Sequence, residues 1–193
     1  ITSAMKMVSA AKLKKAQDSI TAMRPYSDKL TELIQNLSGP ISGDTPNPYT
    51  QERPTKKTLV VAITSNRGLC GGFNSNIIKA VSQYVNDHTN EKVSVMTLGK
   101  KGNDILSKTK TIAFNDNSIF DDLSFTKSGD IAQGFMDSFA TKEYDKVVVL
   151  YNRFKNAATQ IVTKETLLPI IAKKTEIDTS STDYIFEPTQ EEI

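Results

Sequence analysis

The chain has 193 residues, with 24 Lys and Arg, 22 Asp and Glu, and a formal net charge of +2, which is too small for a general polyanion-binding protein. Its single cysteine excludes an intramolecular disulfide framework, and its single histidine leaves little scope for histidine-based metal sites. This length corresponds to one domain with at most an appendage, and no apolar run approaches the roughly 20 residues that a membrane-spanning helix needs.

Residues 1–39 are predicted to form a long N-terminal coiled-coil helix that Gly39-Pro40 ends. Seam positions recur at alternating spacings of four and three, the pattern of a coiled coil, at Ala16, Ile20, Met23, Ser27, Leu30, Ile34 and Leu37, of which only Ser27 is polar. An earlier apolar set is out of register with this seam, so a stutter is expected near residues 12–15. Pro25 predicts either a kink or a packing partner that offsets its cost of about 3 kcal/mol.

The same helix is basic at its start, because residues 1–17 contain Lys6, Lys12, Lys14 and Lys15 and no acid. Such a stretch is a solvated face, a helix that binds nucleic acid or a membrane surface, or a docking surface for an acidic protein element. It lacks the aromatic anchors of interfacial membrane helices. Its apolar seam requires a helical partner, because an isolated helix would leave a wide apolar stripe in water.

Residues 40–56 hold four of the seven prolines and are predicted to be a linker rather than a packed element. Residues 57–174 are predicted to be an α/β domain. Strands are predicted at 58–65, 93–98, 109–114, 147–151 and 160–163, and helices at 74–86 with Asn74 as N-cap, at 99–107, and after Ser128 as N-cap. This alternation predicts a three-layer, Rossmann-like fold with a mostly parallel sheet.

Residues 175–193 form an acidic segment with six acids and no base. Within it, Thr189–Glu192 has the T-x-x-E form of a capping box, which predicts that a helix starts there and that a C-terminal helix is missing from the given sequence. The other interpretation is a disordered acidic tail.

A glycine-rich segment, Asn66–Asn74, follows the first predicted strand. Glycines between a strand and a helix can cradle phosphate, but their spacing here matches neither nucleotide-binding fingerprint. We therefore predict a structural glycine turn, formed by Arg67, Gly68, Cys70, Gly71, Gly72 and Asn74. Cys70 lacks a plausible base, since His88 lies near the far end of the next helix, so no catalytic, cofactor-binding or metal-binding residue is predicted.

Several stretches, in order along the whole chain, resemble one family. Residues 1–17 resemble the N-terminal helix of the γ subunit of F-type ATP synthase, and Met23–Tyr26 resembles its bacterial form, proline included. Thr64–Asn74 (TSNRGLCGGFN) is similar to the family pattern T-S-[DN]-[RK]-G-L-C-G-[GS]-x-N. Further matches lie at Asn152–Phe154, at Leu167–Pro169, and at Asp183–Pro188, which leads into the family's C-terminal helix.

The resemblance implies a non-catalytic rotor of the central stalk, which couples proton flow through the c-ring to ATP synthesis or hydrolysis on the β subunits. The implied partners are the α, β and ε subunits and the c-ring, without nucleic acid or cofactor. The implied location is peripheral, on the cytoplasmic face of a bacterial plasma membrane rather than on the mitochondrial inner membrane.

The resemblance also implies two contact surfaces. The surface toward the α3β3 hexamer is expected to include Met5, Lys6, Lys12, Lys14 and Lys15. The surface toward the c-ring and ε is expected to include Tyr184, Phe186 and Glu187. The competing hypothesis from the residues alone is a small α/β enzyme or regulator that binds an anion or nucleotide at Gly68–Gly72 and dimerises through residues 1–38.

Overall fold

A computed structural model describes residues 2–37 and 47–171 of the chain. The chain divides into two compact units, one that contains the long helix and one, Asp44–Ile171, that contains the sheet. The segments 38–46 and 172–193 lie outside the described residues. The predicted end of the first helix at Gly39-Pro40 and the predicted helix start at Thr189 are therefore untested predictions.

Helix α1 (Thr2–Leu37) is continuous and includes Pro25. The predicted long N-terminal helix is thus present. Its apolar side chains are exposed, with Met5 64%, Met7 67% and Met23 66% accessible. Ile20 and Met23 of the predicted seam are exposed, and a helix with an apolar stripe of this kind needs a partner.

The second unit is a five-stranded sheet with the strand order β3-β2-β1-β4-β5. Strands β1 to β4 run parallel, and β5 pairs antiparallel with β4. The strands are β1 (Lys57–Ile63), β2 (Lys92–Leu98), β3 (Ile112–Asp116), β4 (Lys146–Phe154) and β5 (Gln160–Leu168). The helices are α2 (Phe73–Asp87), α3 (Lys100–Leu106) and α4 (Phe125–Ala140). The predicted α/β fold with a mostly parallel sheet is confirmed.

The centre of the sheet is buried on both faces, because successive residues of Thr58–Ala62 in β1 and of Val147–Leu150 in β4 point to opposite faces and are all buried. On one face, Val60, Val95 and Val148 pack with α2 and α3 through Ile77, Val81 and Leu106. On the other face, Leu59, Val61 and Val147 pack with Phe139 of α4. The two clusters make the predicted three layers.

Two predicted helix caps are wrong. Helix α2 begins at Phe73 after Gly72, so Asn74 lies inside its first turn and does not cap it. Helix α4 begins at Phe125, capped by the Ser124 hydroxyl, which accepts from the backbone N–H of Lys127 at 3.3 Å. Ser128 instead donates its hydroxyl to the Ser124 carbonyl at 2.7 Å. Strand β3 also begins later than predicted, and β5 extends further.

The end of the predicted linker is packed against the α/β unit, contrary to our expectation. Arg53 pairs with Asp145 at 2.9 Å, donates to the carbonyls of Phe139 and Tyr144, and lies 4.1 Å from the centre of the Phe139 ring. Burial raises the pKa of Asp145, but the backbone N–H groups of Lys56 and Lys57 and the Arg53 guanidinium lower it more, so the pKa lies below its ordinary value. This partly buried pair fixes the entry to β1.

Candidate functional site

The predicted structural glycine turn lies at the carboxyl end of β1, between that strand and α2. Two of its residues adopt positive φ angles, Leu69 at 59° and Gly71 at 58°. Gly71 has the residue type suited to this conformation, whereas Leu69 carries strain of about 1–2 kcal/mol. The Leu69 side chain is fully exposed. The turn therefore presents an apolar side chain to solvent at its tip.

The interior of this turn is filled by the side chain of Asn74. Its carbonyl oxygen accepts the backbone N–H of Ser65 at 2.9 Å. Its amide nitrogen donates to the carbonyl of Arg67 at 3.1 Å and contacts the Cys70 sulfur at 3.1 Å. In a phosphate-binding loop the backbone N–H groups point at the ligand. Here the buried side-chain amide of Asn74 occupies the loop, and its oxygen accepts one of these N–H groups, that of Ser65.

A second close contact joins the ends of β1 and β2. The Thr64 hydroxyl donates to the carbonyl of Gly99 at 3.2 Å and accepts the backbone N–H of Gly102 at 2.9 Å. A Cβ on Gly99, whose φ is 106°, would lie 2.2 Å from the Thr64 carbonyl oxygen. These glycines were not among the predicted site residues. A glycine between a buried strand and a helix is nevertheless a signal that another segment of backbone comes close to it.

The crevice between β1 and β4, where the strand order reverses, is the usual ligand position in open parallel sheets. Here Asn152 near the end of β4 donates its side-chain amide to the carbonyl of Phe73, the first residue of α2, at 2.8 Å. This hydrogen bond crosses the crevice beside the glycine turn. A hydrogen bond of the chain itself therefore lies at the position where ligands usually bind in such sheets.

The rim of this edge is basic. Arg67 lies in the turn, and a Cβ on Gly68 would meet the Lys101 side chain at 3.7 Å. Lys100 forms an exposed ion pair with Asp104 at 3.1 Å. The contribution of Lys100 and Lys101 to this rim was not foreseen, because they follow β2 and reach the turn only through the pairing of β1 with β2.

The structure does not bring Cys70 and His88 together. Cys70 is exposed in the turn, and His88 follows the last residue of α2, with its ring stacked on Tyr84 at 3.9 Å between centroids. Burial, followed by the charge of Glu91, raises the pKa of Tyr84 to about 12. The tyrosine is therefore neutral at physiological pH and serves as a packing residue of α2.

The predicted surface toward α3β3 lies on α1, where Met5, Lys6, Lys12, Lys14 and Lys15 are all exposed. None of these lysines forms an ion pair within the described residues. Tyr184, Phe186 and Glu187 lie outside the described residues. In the described part of the chain no group of three or more His, Cys, Asp or Glu could hold a metal ion, and none of the described helices has the length and apolarity to cross a membrane.

A nucleotide-type fold with a self-filled turn, joined to a long helix with an exposed apolar seam, defines a structural subunit of a larger assembly. Similarity to known proteins identifies the assembly. The ATP synthase family model matches residues 1–193. The ATP synthase gamma chains of Flavobacterium psychrophilum and Flavobacterium johnsoniae are 58% and 56% identical to the whole chain, which covers 68% of each relative. The chain belongs to the ATP synthase gamma chain family.

A solved structure with a similar fold is the central stalk and c-ring of the Tetrahymena thermophila mitochondrial ATP synthase. It has a TM-score of 0.63 and 28% identity, and the match covers 87% of this chain and 72% of that chain. Family membership confirms the predicted resemblance and makes the chain a non-catalytic central-stalk subunit. It is part of a peripheral sector of a membrane complex, and its curated relatives are bacterial.

Proposed function

We propose that this chain is the rotor of the central stalk and couples proton flow through a c-ring mechanically to ATP synthesis or hydrolysis on β subunits. The agreement of the whole chain with gamma chains carries the proposal. Its partners are then the α, β and ε subunits and the c-ring. The protein is peripheral, on the cytoplasmic face of a bacterial plasma membrane.

Helix α1 supplies the shaft. Its 36 residues span about 54 Å at 1.5 Å per residue, and its exposed apolar seam suits a second helix in a coiled coil. The lysines near its start provide positive charge for acidic loops of the β subunits. Because the shaft is asymmetric, it contacts each β subunit differently and shifts the equilibrium of each between open and closed states.

The foot of the rotor is assigned to Tyr184, Phe186 and Glu187, which we place toward the c-ring and ε. The support is the sequence match of Asp183–Pro188 to the family segment that leads into the C-terminal helix. The glycine turn is assigned a structural role, supported by the Asn74 amide that occupies it. The same amide disfavours the competing hypothesis of an anion- or nucleotide-binding enzyme.

The shaft assignment is tested by replacing Lys12, Lys14 and Lys15 with alanine in the assembled enzyme. Matched controls are three exposed lysines of the α/β unit, Lys79, Lys108 and Lys155, replaced in the same way. The α1 variant should lose ATP hydrolysis that is coupled to rotation and become less sensitive to salt, because charge contacts to acidic loops are screened by ions. Equal effects of both triple variants would overturn the assignment.

The foot assignment is tested by Glu187→Lys. In the membrane-bound enzyme, proton-coupled synthesis should fall more than ATP hydrolysis by the detached catalytic sector, because the substitution disturbs docking on the ring and leaves the β sites intact. Equal loss of both activities would contradict it. A titration of the chain with ATP addresses the competing hypothesis, since micromolar binding that Gly71→Ala abolishes would favour a nucleotide site.

A further inference from the structure

Helix α4 leaves a cleft between itself and the sheet. Its last turns pack tightly, since Phe139 is fully buried beneath the Arg53 guanidinium. Beside it, a cavity of about 500 Å³, lined by residues of α4 from Lys127 to Ser138, lies between α4 and strands β1, β2 and β3. Clefts of roughly 300–1,000 Å³ hold small-molecule ligands in proteins.

The inner wall of the cleft is apolar. Leu59 of β1 and Met96 of β2 form its floor, and Ile131 and Phe135 of α4 face them. Phe114 of β3 lines the opening and is 55% exposed. A flat apolar body inserted here would remove from water both its own surface and that of an exposed phenylalanine, which is favourable at about 25 cal/mol per Å².

Helix α4 keeps the cleft open with a glycine. Gly134 lines the cavity, and a Cβ built on it would meet no atom within 4 Å. Glycine inside a helix costs about 1 kcal/mol relative to alanine. No close approach to a neighbouring element requires glycine at this position, and its effect is to leave room opposite the sheet.

The rim of the cleft is acidic. Asp116, Asp130 and Glu143 line it with a single cation, Lys127. The Lys127 ammonium lies 3.3 Å from Asp122, so its charge is already compensated. Asp130 and Glu143 form no ion pair within the described residues. An apolar floor below an acidic rim is complementary to a molecule with an apolar body and one positive charge.

We propose that this cleft of the α/β unit, between α4 and β1–β3, binds small amphipathic organic cations, with the apolar body on Leu59, Met96 and Phe135 and the amine at the acidic rim. None of the glycine-turn residues lines this site. It gives the stalk subunit a small-molecule ligand of its own.

Three naphthalene probes with the same body and different heads test the proposal by fluorescence titration of the 193-residue chain at pH 7: 1-naphthylmethylammonium, 1-naphthalenemethanol and 1-naphthoate. The cation should bind about tenfold more tightly than the anion, with the alcohol between them. Absence of cation binding, or equal affinity for all three, would overturn the proposal.

Matched glycine variants locate the site. Gly134→Leu fills the cleft and should weaken binding of the cation about tenfold or more. Gly129→Leu makes the same change in the same helix, also into open space, at a position that does not line the cleft, and should leave the affinity unchanged. Equal losses in both variants, or full binding by the Gly134 variant, would show that the probe binds elsewhere.

A third variant tests the head group independently of cleft volume. Asp130→Asn with Glu143→Gln keeps the size of two exposed side chains and removes their charge, so folding should be unaffected. The affinity for the cation should fall to that of the alcohol, while the affinity for the alcohol stays the same. A cation affinity that does not change would refute the role of the rim.

Discussion

The contact between the ends of β1 and β2 makes a quantitative prediction for Gly99→Ala. The backbone of Gly99 has a φ of 106°, where side chains are rarely found, and an added Cβ would lie 2.2 Å from the carbonyl oxygen and 2.8 Å from the carbonyl carbon of Thr64. These are backbone atoms at the end of a buried central strand. They cannot move aside as the end of a flexible side chain would.

Two costs add up at this position. The unfavourable backbone conformation costs of order 1–3 kcal/mol, and the overlap forces a shift of the strand end that costs about 1–3 kcal/mol. The shift also strains the Thr64 N–H bond to the Leu98 carbonyl and the Gly99 N–H bond to the Asp116 carbonyl, both 2.9 Å. We expect a loss of roughly 2–6 kcal/mol, a large part of the 5–15 kcal/mol that stabilises a typical domain.

Two further glycines separate these costs. Gly71 has a φ of 58° with no atom near an added Cβ, so Gly71→Ala measures backbone strain alone, at about 1–2 kcal/mol. Gly134→Ala adds a Cβ in open space within a helix and should stabilise the unit by about 0.5–1 kcal/mol. Urea unfolding followed by circular dichroism gives the free energy of unfolding of all three variants, and the slope of that free energy against urea concentration should be the same in each. A Gly99→Ala loss no larger than that of Gly71→Ala would refute the reasoning.

Three other predictions concern named side chains. Asp145→Asn should destabilise the α/β unit by about 1–3 kcal/mol at pH 7. The pKa of Asp145 is lowered in the folded protein. Its contribution to the free energy of unfolding is therefore full above about pH 4 and is lost as the pH falls through the folded-state pKa. Urea unfolding across this pH range should show that the stability difference between Asp145→Asn and the unsubstituted chain shrinks as the pH falls. Asn74→Ala leaves the Ser65 N–H without its acceptor and should speed amide hydrogen exchange at the turn, whereas unchanged exchange would contradict its filling role. Leu69→Asn relieves backbone strain at an exposed position. It should leave the free energy of unfolding, measured with urea, unchanged or raise it by up to about 1 kcal/mol. A lower free energy of unfolding would show that the leucine side chain makes stabilising contacts.

Strands were the most predictable part of this fold. Runs such as Leu59–Ala62 and Val147–Leu150 are apolar on both faces and β-branched, and burial on both sides of a parallel sheet requires that composition. The long helix was equally predictable, because the residues of its apolar seam recur over many turns. In both cases the signal is local and repeated, so a single exception such as Pro25 does not erase it.

The helix starts were less predictable, because short polar residues can serve the backbone in more than one way. Asn74 could cap α2 or fill the turn, and its hydrogen bonds to Ser65 and Arg67 decide for the second role. Ser128 was predicted to cap a helix whose apolar stripe begins at Ile131, whereas the cap is Ser124. Phe125, the first helical residue, is 93% exposed and so adds nothing to that stripe.

The contacts that close the carboxyl edge of the sheet could not be predicted from spacing. Thr64 and Gly99 are 35 positions apart, and Phe73 and Asn152 are 79 apart. Each pair meets only because β1 lies between β2 and β4. The sequence gives the residue type at each position, and the topology decides which of these residues become neighbours.

The hydrogen bond from Asn152 to Phe73 has a consequence for the mechanics of the subunit. In an enzyme of this fold, the crevice between the central strands opens and closes with its ligand, so its rigidity follows the concentration of a metabolite. Here the crevice is held by two groups of the same chain, at a separation of 2.8 Å. The stiffness of this domain at that point therefore rests on a contact within the chain itself, which needs no bound ligand to form.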